Sequence, residues 1–353
     1  MQGAHGAAVA RFCVALVILS SCRILSAQPE DDPQAQYNRG SDYWYGNGVP
    51  QNYVEAANWY RKAAERGHAE AQYRLGQMLA IGQGIRHDDT EAANWYRKAA
   101  EQGVMLAQYN LGTMYVFGEG VARDYAEAVK WFRKAADQGD VEAQYNLGVC
   151  YRDGQGVAQE FHEAMMWFRK AADQGYSAAQ FTIGLMYADG QGVPKDPAQA
   201  LTWFRKSADQ EYPPAEFNMG VLYAQGTGVP RDLEQAVEWY RKAAQGGVSQ
   251  AQDALRTVAG TGLASAQHAL GMTYEQGWGS VTIEPEAVYW YRKAAEQGYP
   301  PAEYDLGRML ADGRGVRKNE AEAETWFRRA AEKGIREAQT RLETLGAPTA
   351  PPK

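Results

Sequence analysis

The sequence predicts an all-α protein, an α/α solenoid built from helix-turn-helix copies. Three observations predict it. Trp59, Trp95, Trp131, Trp167, Trp203 and Trp239 stand 36 residues apart, and Trp290 and Trp326 repeat that spacing. A period between 20 and 50 residues marks a stack of repeated units, each touching only its neighbours. Within each period, small and apolar residues twice fall on one helical face, with a glycine pair between the two segments.

The chain opens on a segment, residues 1–27, that reads as an export signal. Arg11 precedes the apolar run 12–19, and Leu25-Ser26-Ala27 suits a signal peptidase cutting before Gln28. The run is too short to span a bilayer. Leu19-Ser20-Ser21-Cys22 also resembles a bacterial lipoprotein box, so lipidation at Cys22 stands as the alternative to cleavage after Ala27. Residues 28–33 form a polar linker.

Six regular copies occupy residues 34–247. Residues 71–106 show the design. Ala71, Leu75, Gly76 and Leu79 share one face of a first helix, helix A, which Gly82-Gln83-Gly84 terminates. Ala92, Trp95, Tyr96, Ala99 and Ala100 share a face of helix B, which Gly103 stops. An acceptor followed three residues later by Glu or Gln opens helix B: Asn52 with Glu55, Asp88 with Glu91, Asp124 with Glu127, Glu160 with Glu163, Asp196 with Gln199, Asp232 with Gln235 and Asn319 with Glu322. This is the capping-box pattern. Gly76 and its counterparts lie inside helix A at a cost of about 0.8–1 kcal/mol relative to alanine. Close approach of a neighbouring helix or of the Trp ring is the expected compensation. Arg39 stands where Leu75, Leu111 and Leu147 stand, which suits the outer face of a terminal copy.

Trp239 to Trp290 spans 51 residues, 15 more than the period. Residues 248–262 begin like helix A and end like helix B, a copy without its middle. Such a unit is expected to bend the array, pack less well and open first. Arg256 would stand where Gly76 stands and block close helix approach. Two copies follow at 263–334, then a capping helix at 335–346 and a disordered tail at 347–353.

The pattern A-x-Y-x-L-G-x-M-Y, G-x-G-V, D-x-x-x-A and W-[YF]-R-K-A-A-x-x-G resembles the Sel1-like repeat family, over about residues 34–345. The resemblance implies a right-handed superhelix related to tetratricopeptide arrays, and a role as adaptor or scaffold, in bacteria often in the envelope or outside the cell. A cysteine-rich subset of the family is linked to β-lactam binding or hydrolysis. This chain lacks its paired cysteines, having Cys13, Cys22 and Cys150 alone.

Composition narrows the function further. The formal charge is −7, and becomes −9 without the first 27 residues, which hold Arg11 and Arg23 and no acid. An acidic surface argues against nucleic acid. The helix B Arg-Lys pairs are followed by acids such as Glu65, Glu101 and Asp137, and read as a solvated ridge. His5, His68, His87, His162 and His268 lack metal-ligand spacing, and S-x-x-K and G-x-S-x-G are absent. No catalytic residue, metal or cofactor is predicted. Membrane contact is expected only through a lipid on Cys22.

By analogy with tetratricopeptide arrays, helix A lines the concave side. There Tyr37, Tyr73, Tyr109, Tyr145, Phe181, Phe217, His268 and Tyr304 form a column beside a variable one: Trp44, Ala80, Val116, Arg152, Ala188, Ala224, Glu275 and Ala311. Fixed aromatics beside variable residues suit a groove for an extended peptide or partner helix. Packing between copies is the competing explanation of the column. Trp278, in the loop Gly277-Trp278-Gly279-Ser280, is a further candidate anchor, unless it folds back on the short unit. The sequence thus predicts an exported, non-enzymatic scaffold for a protein or peptide. An envelope glycan or peptidoglycan binder is the alternative, and a β-lactam-hydrolysing enzyme a more distant one.

Overall fold

Helix starts and stops follow the side chains that the sequence supplies. A computed structural model describes residues 32–345, and the expected export signal, Cys22 and the residues after 345 lie outside that range. Among the described residues there are eighteen α-helices and no strand, as expected of an all-α solenoid. Two compact units divide the chain, residues 1–95 and 96–353.

The described part of the first unit holds α1 (Pro33–Tyr45), α2 (Tyr53–Glu65), α3 (Ala69–Ile81) and the start of α4 (Asp89–Glu101). Asp32 accepts the Gln34 and Ala35 N–H groups and Asn52 those of Val54 and Glu55, so two of the orphan donors at each helix start are satisfied. Tyr60 of α2 is 1% exposed and lies on Gly40 of α1.

The second unit continues in pairs: α5 (Met105–Phe117) with α6 (Tyr125–Asp137), α7 (Val141–Asp153) with α8 (Phe161–Asp173), α9 (Ser177–Asp189) with α10 (Pro197–Ala208), and α11 (Pro213–Gln225) with α12 (Leu233–Gln245). Then come the single α13 (Ser249–Ala259), the pairs α14 (Ala264–Gln276) with α15 (Glu284–Glu296) and α16 (Pro300–Asp312) with α17 (Glu320–Glu332), and α18 (Arg336–Thr344). Asp124, Asp196, Asp232 and Asn319 cap their helices as expected. Glu160 does not: it makes no capping bond, because its extra methylene carries the carboxylate past the first-turn N–H groups. Neither does α15 gain a side-chain cap, from Ile283 or otherwise.

The interior glycines are matched by the residue after the tryptophan, not by the Trp ring. A Cβ on Gly148 would stand 2.7 Å from Cδ1 and Cε1 of Phe168, and Gly112, Gly184, Gly220, Gly271 and Gly307 meet Phe132, Phe204, Tyr240, Tyr291 and Phe327 in the same way. The tryptophans serve the next interface. Trp167 belongs to the core formed by α6 and α7, and Trp239 to the one formed by α10 and α11. One aromatic thus closes a copy and its neighbour joins it to the copy before.

The joint at α13 packs differently from expectation. Leu255 is fully buried, and one continuous core runs from Ala236 to Leu342 through Ala251, Val258 and Ala259. The physical reason is that α12 packs on both α13 and α14, so the missing half of the unit leaves no gap. Arg256 is exposed and blocks nothing. Its Nη2 donates to the Tyr274 hydroxyl at 2.7 Å. That bond recurs from helix B to the next helix A: Arg97 to Tyr115 at 2.9 Å, Arg169 to Tyr187 at 2.8 Å, Arg205 to Tyr223 at 2.8 Å, and Arg133 to Tyr151. The lysine after Arg133, Arg169 and Arg205 covers a Trp face, as Lys134 does Trp131 at 4.0 Å. The Arg-Lys pairs are therefore stitches between copies, not only a solvated ridge.

Candidate functional site

The helix A column is half packing and half surface. In the first unit Tyr73 is 6% exposed and belongs to the core, while Tyr37 stacks on His68 at 4.6 Å. In the second unit Tyr109, Tyr145, Phe181, Phe217, His268 and Tyr304 are half-buried. Each leans on the helix B aromatic of its own copy: Tyr109 on Phe132 at 6.0 Å, Tyr145 on Phe168 at 5.5 Å, Phe181 on Phe204 at 5.6 Å, Phe217 on Tyr240 at 5.7 Å and Tyr304 on Phe327 at 5.9 Å. Tyr145 also meets Tyr176, and Phe181 meets Tyr212, at the start of the next copy. One ring face is thus committed to packing, within the copy in every case and against the next copy only at Tyr145 and Phe181 among these contacts. Burial and a contact with Glu142 push the Tyr109 hydroxyl up to about 12, so it stays a neutral donor at physiological pH.

Beside Tyr109 the surface opens into a cleft of about 260 Å³, walled by Val116, Phe117 and Val149, with Cys150 behind. Phe117 closes α5 and is 67% exposed. Sequence reasoning passed over it. The signal was available, because Asp153, Asp189 and Asp312 occupy that place in other copies. Cys150 is 3% exposed, and burial pushes its thiol up to about 11, so it is not a reactive thiolate.

The variable column carries one buried charge. Glu275, 4% exposed, pairs with Arg308 at 2.6 Å and Arg314 at 2.9 Å and accepts the Tyr291 hydroxyl at 2.8 Å. Burial alone would raise its carboxyl, but Arg308, Tyr291 and Arg314 together hold it below the usual range. His268 keeps the ring contact with Tyr291 at 5.5 Å and also meets Asp305 at 2.8 Å. This network ties α14 to α16, and every charge in it is paired.

Trp278 is half-buried and packs on the core around α13, while Gly279 lies against the backbone of Val248 and Ser249. Its loop folds back on the short unit. Among the described residues no group of His, Cys, Asp and Glu is arranged to hold a metal ion, and no helix is long and apolar enough to cross a membrane.

Comparison with known proteins places the architecture. The family model described as "Sel1 repeat" matches residues 33–68, 69–104, 106–140, 141–176, 177–212, 213–248, 264–299 and 300–335, and passes over the short unit. A Sel1 repeat protein from Oxalobacter formigenes is 33% identical, with 89% of this chain and 87% of that chain covered and a TM-score of 0.53. A protective antigen of uropathogenic Escherichia coli strains, displaying an SLR fold, is 31% identical over 91% of this chain and 88% of that chain, with a TM-score of 0.43. No curated protein matches. Repeat folds of this kind generally serve as non-enzymatic scaffolds for protein interaction. With eight matched copies over most of its length, the chain belongs to the Sel1 repeat family.

Proposed function

We propose that the chain is an exported scaffold that holds a partner protein or peptide on the helix A side of its copies. The cleft beside Tyr109 carries this reading. Its aromatic floor, aliphatic walls and exposed Phe117 match a groove for apolar side chains of an extended segment or amphipathic helix. Tyr145, Phe181, Phe217 and Tyr304 extend the row as half-buried rings, whereas Tyr73 is buried in the core and the loop of Trp278 folds back on the short unit. Export rests on the segment 1–27, with cleavage before Gln28 or lipidation at Cys22.

A photo-crosslinking residue at position 117, compared with one at the exposed Met166 of α8, tests the surface in the intact envelope. Position 117 should give a discrete adduct that fades in the pair Tyr109→Ala with Tyr145→Ala, provided circular dichroism shows the fold intact. Equal adducts from 117 and 166, or none from 117, refute the groove. Mass spectrometry of the mature N-terminus should find Gln28 or a lipidated Cys22, and an intact Met1 end refutes export.

A further inference from the structure

Four copies carry the same amide bond between helix B and helix A. A glutamine closing helix B donates Nε2 to the buried glutamine of helix A: Gln138 to Gln108 at 2.7 Å, Gln174 to Gln144 at 2.9 Å, Gln210 to Gln180 at 2.7 Å and Gln297 to Gln267 at 2.7 Å. In the copy at 300–335 both partners change together. Lys333 Nζ lies 2.6 Å from Glu303 Oε1 and 3.0 Å from the Gly298 carbonyl. In the copy at 213–248 the acceptor changes and the donor disappears. Glu216 takes the buried place, 5% exposed, and Gly246 stands where Gln174 and Lys333 stand in theirs. No hydrogen bond and no ion pair reaches Glu216 among the described residues.

The absent donor leaves a cleft of about 500 Å³ that Glu216 lines, bounded by Glu211, Pro213, Trp239, Lys242 and Gly246. The chain cannot readily fill it. A Cβ on Gly246 would come within 2.3 Å of Pro213 Cγ. Lys242 is already placed over the Trp239 ring at 4.6 Å, as Lys134 and Lys170 are over Trp131 and Trp167. Glu211 has φ 58, where other copies have glycine, so a side chain is held in a strained backbone at the rim. Three acids (Asp209, Glu211, Glu216) face two bases (Arg241, Lys242), so the cleft favours a cation.

We propose that this cleft binds a primary alkylammonium group, borne by a lysine side chain of the partner, on the Glu216 carboxylate and the Glu211 carbonyl. The chain supplies its own template. Lys333 makes the same two contacts, thirty and thirty-five residues back, and Gln174 makes them to Gln144 and, at 3.1 Å, to the Gly139 carbonyl. Counted from Gly246, those positions are Glu216 and Glu211. The alkyl arm would lie along Trp239 and Pro213. Lysine as the bearer rests on the scaffold reading, whereas the ammonium site does not.

The test uses the full chain, n-butylammonium chloride and Nα-acetyl-lysine methylamide as probes, and n-butanol and the Nε-acetylated lysine as neutral controls. Amide shifts in two-dimensional NMR should centre on Glu211, Glu216 and Gly246 for both ammonium probes and for neither control. Glu216→Gln restores the residue most copies carry and should weaken binding about tenfold or more, since a charge-assisted bond is lost. Shifts with butylammonium but not with the lysine probe would overturn the lysine bearer and leave a site for free amines. No shifts at these residues, or equal affinity in Glu216→Gln, would overturn the site. Crosslinking from position 117 concerns another copy, so the two readings fail separately.

Discussion

Gly148→Ala sets two effects of known sign against each other. Alanine inside a helix is favoured over glycine by about 0.8–1 kcal/mol. The new methyl, however, would lie 2.7 Å from two carbons of the Phe168 ring, well inside the 3.4–4 Å of ordinary contact. Phe168 is fully buried, with the Tyr145 ring centroid 5.5 Å away, so it has no free direction in which to yield. Forcing a methylene-sized group into a packed core costs about 1–3 kcal/mol. The clash should win, for a net loss of about 1 kcal/mol. Phe168→Leu removes the ring edge, and in that background the same Gly148→Ala should become stabilising. Urea denaturation and hydrogen exchange of α7 and α8 amides measure both arms, the second because a long array need not unfold in one step. Stabilisation by Gly148→Ala in the wild-type background would show that the ring has room, and the account of the interior glycines would fail.

Trp131→Ala should destabilise by about 3–5 kcal/mol in thermal melts, because Trp131 is 7% exposed. Trp203→Ala, at a half-buried position, should cost clearly less, and equal losses would contradict the burial. Leu255→Ala should cost about 2–5 kcal/mol, and α13 amides should exchange as slowly as those of α12; fast exchange at α13 would restore the picture of a weak joint. Cys150 should resist a thiol reagent at pH 8 until the protein unfolds. Since burial raises its pKa to about 11, its contribution to stability is present below about pH 8.5 and is lost as pH rises towards 11. Glu275 behaves oppositely. Its folded pKa is lowered, so its contribution is present above the ordinary carboxylate range near 4.3 and is lost as pH falls through the folded value, a loss that Glu275→Gln should abolish in acid titrations.

The fold was legible because its signals are periodic and local. The tryptophans and the glycine pairs recur eight times and the Asp or Asn caps six times, so the sequence displays each signal many times over. What escaped notice depends on contacts between helices. That Phe168 and not Trp167 meets Gly148 follows from helix rotation, which adjacent apolar residues leave open. The stitches from Arg169 to Tyr187 have a constant offset, but nothing in either residue alone announces a bond. The site was the least legible part. Tyr109 could be placed on helix A but not on the rim of a cleft, and Phe117 was hidden by its apolar neighbours Tyr115 and Val116. Glu216 is one acid among many on the helices, and only the missing partner at Gly246, counted across the copies, sets it apart.

The constant offset between stitched residues has a consequence for how such a chain changes length. Arg256 reaches Tyr274 across the same eighteen positions that separate Arg97 from Tyr115, although Arg256 stands in a unit that has lost its middle. A splice that joins the opening of one helix A to the close of a later helix B preserves that reach. Recombination between copies made in phase keeps that offset, and a shift of phase breaks the stitch. Arrays of different length, with different successions of clefts, thus share one scheme of contacts between helices.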